Sequence, residues 1–233
     1  MRLDKFISSQ TSFSRSECRK LIQTGRVRVE GLNWVNADTK IDADNSNVFV
    51  DGNAITFKEY VYYIMNKPAG VLSACNDKSK KTVVDLLKED DRHRAVFPVG
   101  RLDKDTTGLL LLTDDGDTAH KIINPKSKIE KTYIAVLDGQ LKQEDILSFK
   151  KGLVLADGTL CEPAVLEIID VNTALVKITE GKYHQIKRMF GVIGLGVVEL
   201  SRTKIGNLSL DKNILPGDYI EISFDDIKRL VLT

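Results

Sequence analysis

The chain is poor in cysteine, and this scarcity excludes two kinds of structural site. Its 233 residues include three cysteines, Cys18, Cys75 and Cys161. An odd number of widely spaced cysteines argues against a disulfide framework and against a zinc site, and it is typical of a reducing cytosol. We therefore expect a cytoplasmic protein with no bound metal.

The chain also lacks long apolar runs. No run approaches the ~18 apolar residues that a membrane span requires, and the N-terminal MRLDKFISSQ has no apolar segment of the kind found in secretory signals. Its 42% hydrophobic and 29% charged residues describe an ordinary globular composition. The length suffices for one large domain or for a small domain followed by a large one.

Net charge is almost absent, at +1, which is unpromising for a nucleic-acid-binding protein. The distribution is more informative, because the first 30 residues carry seven basic and three acidic side chains. The basic residues are Arg2, Lys5, Arg15, Arg19, Lys20, Arg26 and Arg28. Such an asymmetry indicates a surface for phosphates, although a solvated helix face would look similar.

Apolar spacing in this basic segment predicts two short helices and a strand. Either Ser14 or Ser16 is the N-cap of the second helix, and Gly25 ends it. RVRVEG (26–31) alternates as a strand with one buried face. The apolar helix positions are Leu3, Phe6, Ile7, Cys18, Leu21 and Ile22. This packing allows Arg15, Arg19, Arg26 and Arg28 to share one surface; the alternative is a helical unit with ordinary surface arginines.

The segment MRLDKFISSQTSFSRSECRKLIQTGRVRVEG resembles an S4 domain, a small module of ribosomal proteins and RNA-modifying enzymes. The resemblance extends over about residues 1–59. It implies that the basic helix face binds structured RNA, since opposed charge and counterion release favour phosphate contacts without sequence readout. The residues expected at this interface are Arg15, Arg19, Lys20, Arg26 and Arg28.

Residues 60–233 predict an α+β domain. Short β-rich runs alternate with a few helices, placed at 117–123, 143–151, 184–193 and 225–230, and no fixed repeat is present. This pattern favours a mixed, largely antiparallel sheet flanked by helices and loops. The continuous run Leu109–Leu112 predicts a central strand that is covered on both faces.

The stretch GRLDKDTTGLLLLTDDG (100–116) admits three interpretations. The first is a polar turn whose Asp and Thr side chains cap local backbone amides. The second is a magnesium-dependent phosphatase of the D-x-D-x-T type, with an Asp nucleophile. The third is metal-free catalysis by one Asp that is buried against an apolar strand and kept ionised by a cation.

The phosphatase interpretation has two weaknesses. Pro98, Gly100 and Arg101 interrupt the apolar strand that should lead into the first Asp. The nearest further acids, Asp114 and Asp115, follow a short strand and would lie roughly 20 Å from the turn, at about 3.3 Å per residue.

The C-terminal stretch EGKYHQIKRMFGVIG (180–194) supplies the cations that the third interpretation needs. Lys187 and Arg188 are the side chains best suited to pair with a carboxylate of the DKDTTG turn. The alternative is a basic amphipathic helix that packs Ile186, Met189 and Phe190 inward.

Four motifs occur in order behind the S4-like segment: NKPAGV (66–71), GRLDKDTTGLLLLTDDG, EKTYIAVL (130–137) and EGKYHQIKRMFGVIG. Together they resemble the pseudouridine synthases of the small-subunit ribosomal RNA type, over essentially the whole chain. The resemblance implies a mixed-sheet catalytic domain at 60–233 and a metal-free, cofactor-free isomerisation of one uridine in ribosomal RNA.

The same resemblance implies roles for individual residues. Asp103 is the essential carboxylate, and Lys187 pairs with it and keeps it ionised. Tyr133 packs against the extruded base near the carbon that loses its proton. Ile186 walls the base pocket, Arg101 holds the RNA, and Arg188 is a further substrate-binding residue of the same basic stretch. Asp105, Thr106 and Thr107 shape the loop, while His184 is explained equally well as a helix cap.

The implied partner is ribosomal RNA, either free or in a partly assembled small-subunit particle, with the protein as a monomer and no membrane. The full-length likeness favours a single 16S site over a large-subunit (23S) site. Two other classes stay open at this point: a non-catalytic S4-type assembly factor, and the magnesium phosphatase.

Overall fold

The computed structural model describes residues 1–232, which form two compact units. Unit 1 comprises Met1–Tyr60 and Leu87–Ala95, and unit 2 comprises Val61–Leu86 and the chain from Val96 onward. The helices are α1 (Leu3–Gln10), α2 (Arg15–Gln23), α3 (Glu89–Arg92), α4 (Gly116–Ile123), α5 (Gln143–Lys151), α6 (Gln185–Val192) and α7 (Phe224–Leu230). The strands are β1 (Val27–Val29), β2 (Val48–Val50), β3 (Asn53–Ile55), β4 (Tyr62–Lys67), β5 (Phe97–Pro98), β6 (Thr107–Thr113), β7 (Lys131–Leu137), β8 (Val165–Asp170), β9 (Thr173–Ile178), β10 (Val197–Ile205), β11 (Leu208–Ser209) and β12 (Tyr219–Ile222).

Unit 1 packs α1 and α2 against a small antiparallel sheet in the order β1-β2-β3. All six predicted apolar helix positions are buried in its core. Ser14, one of the two predicted alternatives, is the N-cap of α2: its hydroxyl accepts from the Glu17 amide, and the Glu17 carboxylate accepts from the Ser14 amide. This capping box fixes where the basic helix begins.

The segment Leu87–Ala95 belongs to unit 1 although it lies in the middle of unit 2 in the sequence. Arg94 explains the association, because its guanidinium donates to the backbone carbonyls of Lys58 (2.9 Å) and Glu59 (2.7 Å). The sequence pattern predicted two continuous domains and gave no signal for this return, which depends on hydrogen bonds between distant residues.

Unit 2 is built on a sheet with the main order β12-β4-β6-β10-β7-β9-β8, to which β5 and β11 add at the side. Within the described residues only the β6–β10 pair is parallel, and the other pairs are antiparallel. The predicted α+β class with a mixed, largely antiparallel sheet is confirmed. Leu109–Leu112 lie in the interior of β6 and are at most 2% exposed, as a central strand covered on both faces requires.

The long helices of unit 2 lie where apolar spacing predicted them, within one residue at most ends. α4 begins at Gly116 and α6 begins at Gln185, whereas α3 was not predicted. None of the helices within residues 1–232 has the length and apolarity to cross a membrane.

Candidate active site

Asp103 lies on the loop that connects β5 to β6, at the edge of a concave pocket of unit 2. Its side chain is 28% exposed, so the carboxylate is partly withdrawn from water. His184 Nε2 lies 3.5 Å from Oδ1, and Lys187 Nζ lies 3.6 Å from Oδ2. The carboxylate therefore faces an imidazole and an ammonium group, both contributed by the start of α6.

Lys67, at the end of β4, fixes the loop that carries Asp103 through hydrogen bonds. Lys67 is fully buried, and its ammonium donates to the carbonyls of Pro68 (3.0 Å), Lys104 (3.2 Å) and Thr106 (2.9 Å). Burial lowers the pKa of Lys67 to about 8, while the charges of Asp105 and Asp103 act in the opposite direction. The three carbonyls satisfy a group whose burial would otherwise be costly, and in return the ammonium fixes the loop.

A second clamp comes from Ser73, which follows the NKPAGV motif. Its hydroxyl accepts from the Leu102 amide at 3.1 Å and donates to the Leu102 carbonyl at 2.9 Å. The Gly70 amide donates to the Lys104 carbonyl at 2.8 Å. The segment 66–73 thus positions the loop that carries Asp103, a role that sequence reasoning did not assign to it. The available signal was a lysine at the end of a strand that is otherwise almost entirely apolar.

The other end of the Asp103 loop is positioned where strands β6 and β10 come close together. β6 and β10 pair in parallel, with Ser201 opposite Thr107 and Arg202 opposite Gly108. A side chain at position 108 would meet the Arg202 carbonyl oxygen at 2.3 Å, and the residue has φ +96°, so only glycine fits. Gly108, the glycine of DKDTTG, is therefore required because the two strands come so close together at this position.

The pocket combines polar and apolar walls. Tyr133 and Ile186 are 8% and 4% exposed and supply apolar surface, together with Ile178 and Leu200. The Thr106 hydroxyl lies in the same lining and, within the described chain, has no hydrogen-bond partner. Asp103, Tyr133 and Ile186, which the sequence separates by up to 83 positions, thus line one pocket.

Lys187 makes its shorter contact with Asp105 rather than with Asp103. The Nζ–Oδ1 distance to Asp105 is 2.5 Å, and this hydrogen bond lowers the pKa of Asp105. The predicted pair between Lys187 and Asp103 is present at 3.6 Å, but the ammonium bridges two carboxylates and lies nearer the more exposed one. The Asp105 side chain is 73% exposed.

His184 is the N-cap residue of α6, but its side chain does not cap the helix. It has a left-handed backbone conformation (φ +49°) and its side chain makes no cap hydrogen bond. Instead the Gln185 side chain accepts from the Lys182 amide at 2.9 Å. The imidazole stacks on the exposed ring of Tyr183, with centroids 3.8 Å apart, and lines the pocket beside Asp103.

The two predicted RNA-binding arginines of unit 2 differ in their surroundings. Arg101 is exposed and lines the pocket. Arg188 pairs with Asp157 at 2.5 Å and donates to the Tyr183 carbonyl at 3.4 Å. Arg188 therefore does not pair with a carboxylate of the DKDTTG turn, and its contact with RNA stays a prediction.

The basic residues of unit 1 are exposed but not all unpaired. Arg19 contacts Asp4 (3.1 Å), and Arg26 forms a bidentate pair with Asp51 (2.6 Å). The Arg28 guanidinium lies 4.0 Å from the centre of the Phe49 ring. Arg15 and Lys20 are exposed on α2 and form no ion pair among the described residues.

The acids that the phosphatase interpretation would require have structural partners at the far end of β6. The Asp114 carboxylate accepts from the Val61 amide at 2.8 Å. Asp115 caps α4 by accepting from the Thr118 amide at 3.0 Å, and it accepts from the Tyr62 hydroxyl at 2.7 Å. Neither side chain lines the pocket that contains Asp103.

Comparison with known proteins identifies the family. Residues 61–191 match the family model described as RNA pseudouridylate synthase, and residues 1–32 match the S4 domain model. The chain belongs to the RNA pseudouridine synthase family. This pseudouridine synthase carries an N-terminal S4 RNA-binding domain, and the predicted enzyme class, an isomerase acting on RNA, is confirmed.

Relatives of this pseudouridine synthase match it along nearly its whole length. It is 40% identical to the "Uncharacterized RNA pseudouridine synthase YtzG" of Bacillus subtilis, over 99% of this chain and 98% of that protein. It is 39% identical to the "Ribosomal small subunit pseudouridine synthase A" of Escherichia coli K12, over 99% and 100% of the two chains. A solved structure described as a pseudouridylate synthase superposes with a TM-score of 0.70 at 34% identity, over 99% and 100%.

Proposed function

We propose that this pseudouridine synthase isomerises a single uridine of 16S ribosomal RNA in the cytoplasm, with Asp103 as its essential carboxylate and without a metal or cofactor. The observation that carries the site assignment is the position of Asp103, partly buried between Lys187 and His184 at the edge of a pocket walled by Tyr133 and Ile186. The small-subunit target is supported by the full-length likeness to the Escherichia coli protein of that name.

The reaction makes three demands that this pocket meets. The N1–C1′ bond of the uridine breaks, the uracil turns, and C5 bonds to C1′ while the C5 proton leaves, so atoms balance without a co-reactant. A carboxylate must reach the ribose or the uracil as nucleophile or base, and Asp103 is the carboxylate in the pocket lining. Lys187 and His184 lie beside this carboxylate, and the apolar walls exclude water from the detached base.

The uridine must leave its stack to reach the pocket, which costs a few kcal/mol. In this proposal Tyr133 packs against the extruded uracil and Ile186 lines the other wall. Arg101, exposed at the rim, contacts the RNA. On the S4 domain, Arg15, Arg19, Lys20, Arg26 and Arg28 contact phosphates, which supplies binding energy independent of sequence.

The test is tritium release from 16S transcript labelled at uracil C5, incubated with enzyme in EDTA. We expect release by the wild type and by Asp105→Asn, the matched control on the same loop, and none above background by Asp103→Asn. Sequencing of the product for pseudouridine then names the uridine.

Four results would contradict parts of the proposal. Release by Asp103→Asn would remove Asp103 from its role, and loss of wild-type release in EDTA would show a metal requirement. Release from a 23S transcript or from a partly assembled small-subunit particle, but not from free 16S transcript, would replace the substrate. RNA binding without release from any of these would favour a non-catalytic assembly factor.

A further inference from the structure

A second cavity of unit 2, of about 140 Å³, adjoins the candidate active site. The two share Arg101, Tyr133 and Gly181 in their linings, so they adjoin at these residues. The additional wall residues include Lys131, Glu180 and Arg202. The volume exceeds what one water molecule needs, and the lining is rich in charge.

Strand register explains why these cations meet beside Tyr133. Arg202 of β10 lies directly opposite Tyr133 of β7, and Ile205 lies opposite Lys131. Side chains two residues apart on a strand point to the same face. Lys131, Tyr133 and Arg202 are therefore neighbours on one face of the sheet, the face that also forms the active-site pocket.

Arg202 is buried with unused hydrogen-bonding capacity. It is 5% exposed, and its Nε donates to the Leu109 carbonyl at 2.8 Å. Its Nη2 is buried and has no hydrogen-bond partner within residues 1–232. A charged group in this state is costly unless a ligand pairs with it, and the planar guanidinium suits an oxygen anion.

The other charges around the cavity leave it positive. The Lys131 side chain is half-buried and forms no ion pair or hydrogen bond among the described residues. Burial lowers the pKa of Lys131, and the nearby charge of Arg202 lowers it further. The one carboxylate of the lining, Glu180, is already occupied. It pairs with Lys182, and it accepts from the Gln185 side chain (2.7 Å) and the Glu162 amide (3.0 Å).

We propose that this cavity binds a phosphate group of the RNA backbone next to the modified uridine, with Lys131 and the free Nη2 of Arg202 as its ligands. The proposal rests on the proposed function for the identity of the RNA. A nucleotide extruded against Tyr133 keeps its phosphates within a few ångströms of its ribose, and the cavity shares Tyr133, Arg101 and Gly181 with the active-site pocket. An anion there satisfies Nη2 and offsets the burial of both cations.

The experiment measures binding of 16S transcript over a range of salt concentrations by the wild type, Lys131→Met, Lys131→Arg and Lys177→Met. Lys177 is the matched control: it lies in the same sheet, opposite Thr132 and hence on the other face, and pairs with Glu167 at 3.6 Å. We expect Lys131→Met to bind about tenfold more weakly, as for loss of one charged hydrogen bond. The magnitude of the negative slope of log K against log salt concentration should decrease by about one. Lys131→Arg should restore both, and Lys177→Met should match the wild type.

Inorganic phosphate, titrated against the ¹⁵N-labelled enzyme and followed at the Arg202 Nε–H resonance, separates two sources of the anion. A perturbation that depends on Lys131, together with the change in slope, supports an RNA phosphate in the cavity. A perturbation without a change in slope would overturn the RNA assignment in favour of a free-phosphate site. An unchanged slope without perturbation would overturn the cavity as an anion site.

Tritium release by the wild type, measured in parallel, separates this proposal from the proposed function. If free 16S transcript yields no tritium but Lys131→Met still lowers the slope, the phosphate site is supported and the assigned target is wrong.

Discussion

Two aspartates lie at each end of β6, and the two pairs make different contacts. Asp103 and Asp105 precede the strand, and Asp114 and Asp115 follow it. At the far end both carboxylates accept backbone amides, and Asp115 is 6% exposed. At the near end the Asp103 carboxylate lies 3.5 Å from the His184 imidazole and 3.6 Å from the Lys187 ammonium, and it faces an open pocket.

The difference shows how structural and functional aspartates can be told apart. A carboxylate whose oxygens are saturated by amides and a hydroxyl stabilises the fold and has no capacity left for a substrate. A carboxylate held near cations at long distance, on a loop fixed by other residues, keeps its oxygens available for chemistry. Lys67 and Ser73 fix this loop through hydrogen bonds to its backbone rather than to the Asp103 side chain.

The largest expected effect is on catalysis at the near end. Asp103→Asn should lower the rate of tritium release by about 10⁴-fold or more, because a group that acts directly on the substrate is removed. The free energy of unfolding should change by less than about 1 kcal/mol, since Asp103 makes only distant contacts. Single-turnover rates and urea denaturation measure the two quantities, and a large loss of stability in this variant would erase the contrast.

Removal of the Lys67 ammonium, which fixes the loop, should affect both stability and catalysis. Lys67→Met leaves three backbone carbonyls, one of them buried, without their donor and should lower the free energy of unfolding by about 2–3 kcal/mol. It should also slow tritium release, because Asp103 loses its fixed position.

The Lys67 effect should depend on pH in a defined direction. Burial lowers the pKa of Lys67 to about 8, whereas the unfolded chain keeps its proton up to about 10.5. The unfolded state then binds more protons between these values, so the stability of the wild type relative to Lys67→Met should rise from about pH 8 to 10.5. Urea denaturation at several pH values checks the slope, and a decline over this window would contradict the burial argument.

At the far end the expected effect is on stability alone. Asp115→Ala removes the cap of α4 and the acceptor for Tyr62, and should cost about 2 kcal/mol. Asp115→Asn keeps a carbonyl acceptor and should cost less. Activity per folded molecule should be unchanged in both, as measured by tritium release normalised to folded protein.

Acid should remove the advantage of Asp115 over asparagine. Burial by itself raises the pKa of Asp115, but hydrogen bonds from Thr118 and Tyr62 outweigh it and hold the pKa below its usual value. A lowered pKa stabilises the fold above about pH 4 and ceases to do so as pH falls through the folded-state value. The stability difference between wild type and Asp115→Asn should therefore shrink below about pH 4; growth of the difference would contradict the assignment.

The smallest effect is expected from Asp105, which shares the catalytic loop. Its side chain is 73% exposed, so loss of the pair with Lys187 in Asp105→Asn should change stability by less than about 1 kcal/mol. Tritium release should stay within about threefold of the wild type, because Lys187 remains beside Asp103. A loss comparable to that of Asp103→Asn would show that both near-end carboxylates are catalytic.

Local patterns in the sequence were sufficient for much of this molecule. Periodicity located the helices and buried faces of both units, and the Leu109–Leu112 run predicted the covered central strand. These features depend on residues within one or two turns of each other, so short segments encode them. The four motifs in order also indicated the family and pointed to Asp103, Tyr133 and Lys187.

The tertiary structure alone decided which partners these residues have. It placed Lys187 closer to Asp105 than to Asp103, paired Arg188 with Asp157, and set the His184 imidazole beside the Asp103 carboxylate. It also brought Lys67 beneath the catalytic loop and Arg202 next to Tyr133. Each of these contacts joins residues that are distant in sequence or compares two candidates a few ångströms apart. Strand register and loop path set such distances, and no local spacing records them.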